Sequence, residues 1–171
     1  MSKLEKHIFM IGFMGVGKTS TSRVLSRKLG IREIDTDVMI VEQEKRSISD
    51  IFDKEGEEYF RTKETELIDQ IGEMKPCIVS CGGGMAMRKV NVEKMKKIGQ
   101  VVWLTATPET IYLHVKDSTN RPLLNGNMNV PYIKSLMDAR EPKYRKAADI
   151  IIETDGCTPT QVADKIIQKV R

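Results

Sequence analysis

The chain has 171 residues, 40% hydrophobic and 30% charged, a length that suits one domain with a real core and a composition that excludes disorder. No apolar stretch approaches the ~18–20 residues of a membrane span. The net charge of +4 is spread among interspersed acids and bases, which argues against a dedicated nucleic-acid stripe and leaves room for a local anion site. The three cysteines, Cys77, Cys81 and Cys157, have neither C-x-x-C spacing nor a neighbouring His, so they suggest neither a disulfide framework nor a zinc site, and a reducing cytoplasm is expected. Lys3 and Lys6 precede an apolar run over residues 8–14, but Gly12 breaks that run and no A-x-A-like cleavage site follows, so a secretory leader is not the reading.

The apolar residues 8–11 read as a buried strand, followed by a helix over 19–29 that Gly30 closes. A short strand over 33–35, a helix over 38–44 and a helix over 57–72 come next. Residues 78–79 with their neighbours form a second apolar strand, then a helix covers 89–97 and a strand 101–104. Helices follow over 108–116 and 130–137, a strand over 150–152 and a last helix over 160–170, with Pro108 and Pro159 where a first helical turn tolerates proline. This alternation of strand and helix implies βα units around a mainly parallel sheet, the α/β class. There is no internal repeat or low-complexity linker, so residues 1–171 are expected to form one domain. Residues 117–129, D-S-T-N-R-P-L-L-N-G-N-M-N, are rich in turn formers and carry Arg121. A loop that long inside a compact domain is commonly a lid or binding loop; the alternative is a tolerated surface insertion.

The strongest chemical signal is Gly12-Phe13-Met14-Gly15-Val16-Gly17-Lys18-Thr19, which satisfies G-x-x-x-x-G-K-T between a strand and a helix. Glycines in such a loop let backbone N–H groups converge on phosphate oxygens at a helix N-terminus. Gly15, Val16, Gly17, Lys18, Thr19 and Ser20 are the positions expected to hold nucleotide phosphates, Lys18 reaching the β- and γ-phosphates and the Thr19 hydroxyl reaching Mg²⁺. A GTPase would also need D-x-x-G after a strand and N-K-x-D; Asp53 to Gly56 matches the first by letter with no strand before it, and the second is absent.

Asp35 and Asp37 lie two apart at the end of the short strand, so on an extended chain they face one side, toward the ligand end of a parallel sheet. One could hold Mg²⁺ and the other accept a proton from an attacking hydroxyl; alternatively Asp37 caps the helix at 38. Arg61 has Glu57 four residues before it and Glu64 three after, a spacing that by itself reads as a surface ion-pair ladder. Gly82, Gly83 and Gly84 bring backbone close to a ligand or a neighbouring element, or form a plain turn. Arg121 and Arg140, taken singly, read as solvated.

In this order, G-F-M-G-V-G-K-T, D-T-D, F-x-x-x-G-E-x-x-F-R-x-x-E from Phe52 to Glu64, C-G-G-G from Cys81, R-P-L-L from Arg121 and R-E-P-K-Y-R from Arg140 resemble the shikimate kinase family over nearly the whole chain. The resemblance implies a phosphate-loop kinase of the nucleoside-monophosphate-kinase type: a five-stranded parallel sheet flanked by helices, a substrate-binding region near residues 35–64 and a lid near 117–129. It implies transfer of the γ-phosphate of ATP to the 3-hydroxyl of shikimate, with Mg²⁺, by a monomer in the cytoplasm without nucleic-acid or membrane partners. It implies further that Asp37 is the base, that Asp35 and Thr19 surround Mg²⁺, and that Arg61 and Arg140 grip the shikimate carboxylate. Glu64 would orient Arg61, residues 82–84 would wall the ring, and Arg121 would meet the phosphates. Where some members place arginines around adenine, this chain has His114 and Cys157, with Pro159 retained and Lys116 able to substitute on one side. The alternatives are another small-molecule kinase such as gluconate kinase and a non-catalytic nucleotide-binding regulator; Lys18, Asp37 and Arg121 together argue against the second.

Overall fold

The computed structural model describes residues 4–116 and 128–170. Its centre is a parallel sheet of β1 (His7–Ile11), β2 (Glu33–Asp35), β3 (Ile78–Ser80), β4 (Gly99–Thr105) and β5 (Ile150–Glu153), in the order β2-β3-β1-β4-β5. Successive side chains of a strand point to opposite faces, and β1 is apolar on both: Phe9 and Ile11 enter one core with Val79, Val101 and Trp103, while Ile8 and Met10 enter the other with Ile78, Val102 and Leu104. A sheet buried on both faces needs helices on both, which is why its central strands β1, β3 and β4 are almost wholly buried.

Among the described residues, eight helices surround the sheet: α1 (Lys18–Leu29), α2 (Thr36–Glu44), α3 (Ile48–Glu55), α4 (Glu57–Gly72), α5 (Lys89–Ile98), α6 (Pro108–Val115), α7 (Val130–Ala147) and α8 (Pro159–Lys169), with one 3₁₀ turn at Met85–Met87. Among the described residues, no helix is long and apolar enough to cross a membrane. Gly30 closes α1 in the left-handed conformation, and Thr158 with Gln161 forms a reciprocal cap at the start of α8.

Three expectations change. The helix α3 was not foreseen: Ser47 caps it by accepting from the Asp50 N–H at 3.1 Å, and Ile51 is fully buried. The helix expected over 130–137 instead runs to Ala147 through Pro142. An interior proline costs about 3 kcal/mol by removing a hydrogen bond and crowding the preceding turn. Packing beyond it offsets this: Tyr144 and Ala147 are buried, and the Tyr144 ring stacks on Trp103 at 5.8 Å. Finally α2 begins at Thr36, so Asp35, not Asp37, is its cap, its Oδ1 accepting from the Val38 N–H at 3.1 Å. The extended chain ends one residue too early for the two carboxylates to share a strand face.

The sheet order reverses at β1, since the chain goes out to β2, returns to β3 and then crosses to β4. Ligands of open α/β sheets bind outside the strand ends at such a switch.

Candidate active site

A cleft of about 1070 Å³ opens there, and every proposed position among the described residues lines it: Gly15, Val16, Gly17, Lys18, Thr19, Ser20, Asp35, Asp37, Arg61, Gly82, Gly83, Gly84, Arg140 and Pro159. Arg121 and most of the expected 117–129 lid lie outside the described residues; Asn129, at its end, caps α7 through its side chain, which accepts from the Tyr132 N–H at 2.9 Å.

The loop between β1 and α1 depends on two glycines for different reasons. A Cβ at Gly12 would lie 2.6 Å from the Leu104 carbonyl oxygen, so the backbone can approach β4 only without a side chain. Gly17 caps α1 at φ +100°, a left-handed position, with no side chain over the first N–H groups of the helix and no acid in its first turn. The helix dipole and the N–H groups of that first turn favour an anion there. Lys18 folds over the loop, its Nζ donating to Gly12 O at 2.6 Å and Phe13 O at 3.1 Å. The Thr19 hydroxyl donates to Asp35 Oδ2 at 3.1 Å. A hydroxyl and a carboxylate meeting beside a phosphate loop form a hard oxygen donor pair, the type Mg²⁺ takes while keeping several waters, so these residues fit the metal.

The opposite wall is built on the glycine run after β3, and each glycine meets a different charged group. A Cβ on Gly82 would lie 2.6 Å from Asp37 Oδ1 and 3.1 Å from Glu64 Oε2; one on Gly83 would lie 3.2 Å from Arg140 Nη1; one on Gly84 would enter the Arg61 guanidinium. The close approach read from three glycines is thus to the site's own charges. Two buried residues to which the sequence assigned no role pin this run. Thr36 Oγ1 accepts from the Gly82 N–H at 2.9 Å, and the Tyr144 hydroxyl donates to Gly83 O at 2.5 Å. Continuing the α7 period past Pro142 would have pointed to Tyr144; Thr36 carried no signal beyond its place between two aspartates.

Arg61 is not part of a surface ladder. Its side chain is 14% exposed and pairs with Glu64 at 2.8 Å, whose side chain is 0% exposed, and with Glu57 at 3.7 Å. Burial acts to lower the Arg61 pKa, but Glu64 and Glu57 outweigh it, so the guanidinium is held charged. Burial pushes the Glu64 carboxyl up to about 7 against the pull of Arg61, with Asp37 adding to the rise. Arg140, on α7, has its charge centre 5.7 Å from the Phe13 ring. Arg140 Nη1 and Glu64 Oε2 are buried with no hydrogen-bond partner among the described residues. An unsatisfied buried donor costs about 1–3 kcal/mol, and a guanidinium nitrogen left so, in a cleft that Arg61 also lines, is suited to an anionic ligand.

At the other end of the cleft, Cys157 and Pro159 lie near the start of α8, and the Cys157 thiol accepts from Lys165 Nζ at 3.3 Å. All three cysteines are free thiols. His114 reaches Gly15 O with its Nδ1 at 2.6 Å.

A family model described as shikimate kinase matches residues 14–171. The shikimate kinase of Thermodesulfovibrio yellowstonii is 42% identical over 164 residues, covering 96% of this chain and 94% of that protein. Among solved structures, shikimate kinase from Acinetobacter baumannii in complex with shikimate superposes with a TM-score of 0.92 at 34% identity, over 97% of this chain and 93% of that one. The enzyme from Aquifex aeolicus gives 0.82 at 34% identity, over 95% and 94%. With phosphate loop, paired arginines and glycine wall assembled in one cleft, and with relatives alike over almost their whole length, this chain belongs to the shikimate kinase family.

Proposed function

We propose that the cleft transfers the γ-phosphate of ATP to the 3-hydroxyl of shikimate, giving shikimate 3-phosphate, and that its residues divide the work as follows. The observation that carries this reading is the pair of guanidinium groups, Arg61 and Arg140, resting on the glycine run with one buried nitrogen unpartnered. They bind the substrate carboxylate, and Glu64 holds Arg61 in place at 2.8 Å. The bare backbone of residues 82–84 lets Asp37, Arg140 and Arg61 close on it and walls the substrate ring.

Asp37, against Gly82, accepts the proton of the attacking hydroxyl. The loop N–H groups and Lys18 hold the phosphates and stabilise charge on the migrating phosphoryl group. Thr19 and Asp35 would hold Mg²⁺, which supplies positive charge at the β- and γ-phosphate oxygens. Pro159 and its neighbours line the nucleotide end. The enzyme is expected to act as a monomer, and three free thiols suit the reducing cytoplasm.

A coupled ADP-release assay on shikimate, quinate and gluconate tests the assignment. Efficient turnover with shikimate is expected. Comparable turnover with gluconate, or no ADP release with shikimate, overturns it.

A further inference from the structure

His114 does not simply stand in the cleft beside the phosphate loop; it is bonded to the loop. Its Nδ1 lies 2.6 Å from Gly15 O, and because a carbonyl oxygen can only accept, Nδ1 carries the proton and donates. The next residue of the same helical turn makes a second contact with the same glycine. A Cβ at Gly15 would lie 2.5 Å from Val115 Cγ1, so the side chain packs directly on the glycine α-carbon. The last turn of α6 therefore grips the loop by one hydrogen bond and one packing contact.

The helix that supplies this grip is itself tied down. Ile111 and Val115 are buried, and at its start Asp155 Oδ1 accepts from the Thr107 N–H at 3.1 Å and the Thr110 hydroxyl at 2.7 Å. The loop residue it grips is inherently free to swing: Gly15 sits at φ +82°, and glycine populates both signs of φ. A peptide plane is rigid, with its C=O and N–H pointing opposite ways. Holding Gly15 O on His114 thus also sets the Val16 N–H, which donates to Phe13 O at 3.2 Å and closes the turn of the loop.

We infer that His114 is a positioning residue for the phosphate loop: by holding Gly15 O it fixes the Gly15–Val16 peptide and pre-organises the loop for a polyphosphate. A loop already in its bound shape loses less conformational freedom on binding. This rests on the reading of the loop as the nucleotide-phosphate site, and it concerns the phosphates rather than the base or the acid substrate.

The test is isothermal titration of the full chain with ADP, inorganic tripolyphosphate and shikimate, for wild type and for His114→Ala, His114→Asn and His114→Gln. The amide nitrogen of Asn sits at the distance of Nδ1 along the side chain, and that of Gln sits further out. The Ala variant is expected to weaken ADP and tripolyphosphate by the same factor, about fivefold to tenfold, the net worth of one hydrogen bond. Asn is expected to restore both to within about twofold of wild type on the same basis, Gln is not, and shikimate affinity stays unchanged throughout. Unchanged tripolyphosphate binding in His114→Ala overturns the inference, because any loss seen with ADP alone then acts through the base. Equal loss in the Asn and Ala variants overturns it as well, and so does a loss of shikimate binding in parallel. A wild-type chain that binds tripolyphosphate but does not phosphorylate shikimate would refute the substrate assignment while leaving the result on the loop intact.

Discussion

Replacing Arg140 by Met should leave the protein about as stable and nearly unable to bind its acid substrate. In the structure Arg140 Nη1 is buried without a hydrogen-bond partner, an arrangement that costs the ligand-free protein about 1–3 kcal/mol. Methionine keeps much of the apolar stem and removes that donor. Lost in exchange is the contact over Phe13 at 5.7 Å, worth about 0.5–1 kcal/mol for a partly exposed cation–π pair. The interaction with the Tyr144 hydroxyl is lost as well, so the balance leaves Arg140→Met within about 1 kcal/mol of wild type, at most ~2–4 °C in melting temperature for a chain of this size. Binding moves the other way. Truncating one partner of a desolvated ion pair costs on the order of 2–5 kcal/mol, or ~30-fold to several thousand-fold in shikimate affinity. Thermal melts without ligand and shikimate titrations read the two effects separately, with ADP titration as the control that should not move. A variant melting below that range would refute the claim that the unpartnered nitrogen is a cost. Normal shikimate affinity would refute the claim that the nitrogen awaits the carboxylate.

Glu64 should give stability a pH dependence of unusual sign. Its carboxyl is raised from 4.5 to about 7 in the folded protein, so folding is favoured by its proton and that contribution, fully present below 4.5, is lost as pH rises through about 7. Urea denaturation should show the stability of wild type relative to Glu64→Gln falling by up to about 3 kcal/mol between pH 4.5 and 8; a difference independent of pH would contradict the burial argument. Asp37→Asn should lower kcat strongly with nucleotide affinity unchanged, whereas Asp35→Asn should shift the Mg²⁺ concentration needed for activity. Identical Mg²⁺ profiles in steady-state assays would erase that division of roles. In Gly84→Ala the new methyl group meets the Arg61 guanidinium, so KM for shikimate should rise about tenfold or more through displacement of one carboxylate contact, while KM for ATP stays put; equal changes in both would point to general distortion instead.

Features that depend on neighbours a few residues apart were legible in the amino-acid order. The phosphate loop is complete within Gly12 to Thr19, so its spacing and its flanking strand and helix sufficed. The left-handed stop at Gly30 and the first-turn prolines Pro108 and Pro159 are equally local. Four of the five strands stood out because a parallel sheet covered on both faces favours apolar residues on both sides of each strand, whereas β2, Glu33-Ile34-Asp35, carries one buried apolar residue between two acids and left only a short, weak signal. The resemblance named the site residues, but their physical environment needed the fold. Glu57 and Glu64 flank Arg61 at ordinary helical spacing, yet one is half exposed and the other is fully buried, because which side of α4 packs inward depends on elements distant in the chain. The cap at Asp35 displaced the period-two argument for Asp37, since one residue of strand length decides which face a side chain takes. The helix expected over 130–137 runs on through Pro142 because the burial of Tyr144 against Trp103 outweighs the local cost of the proline. What three adjacent glycines approach, and what His114 holds, are contacts between residues far apart in sequence; such pairs are chosen by how helices and sheet pack, and no short stretch of sequence contains both partners.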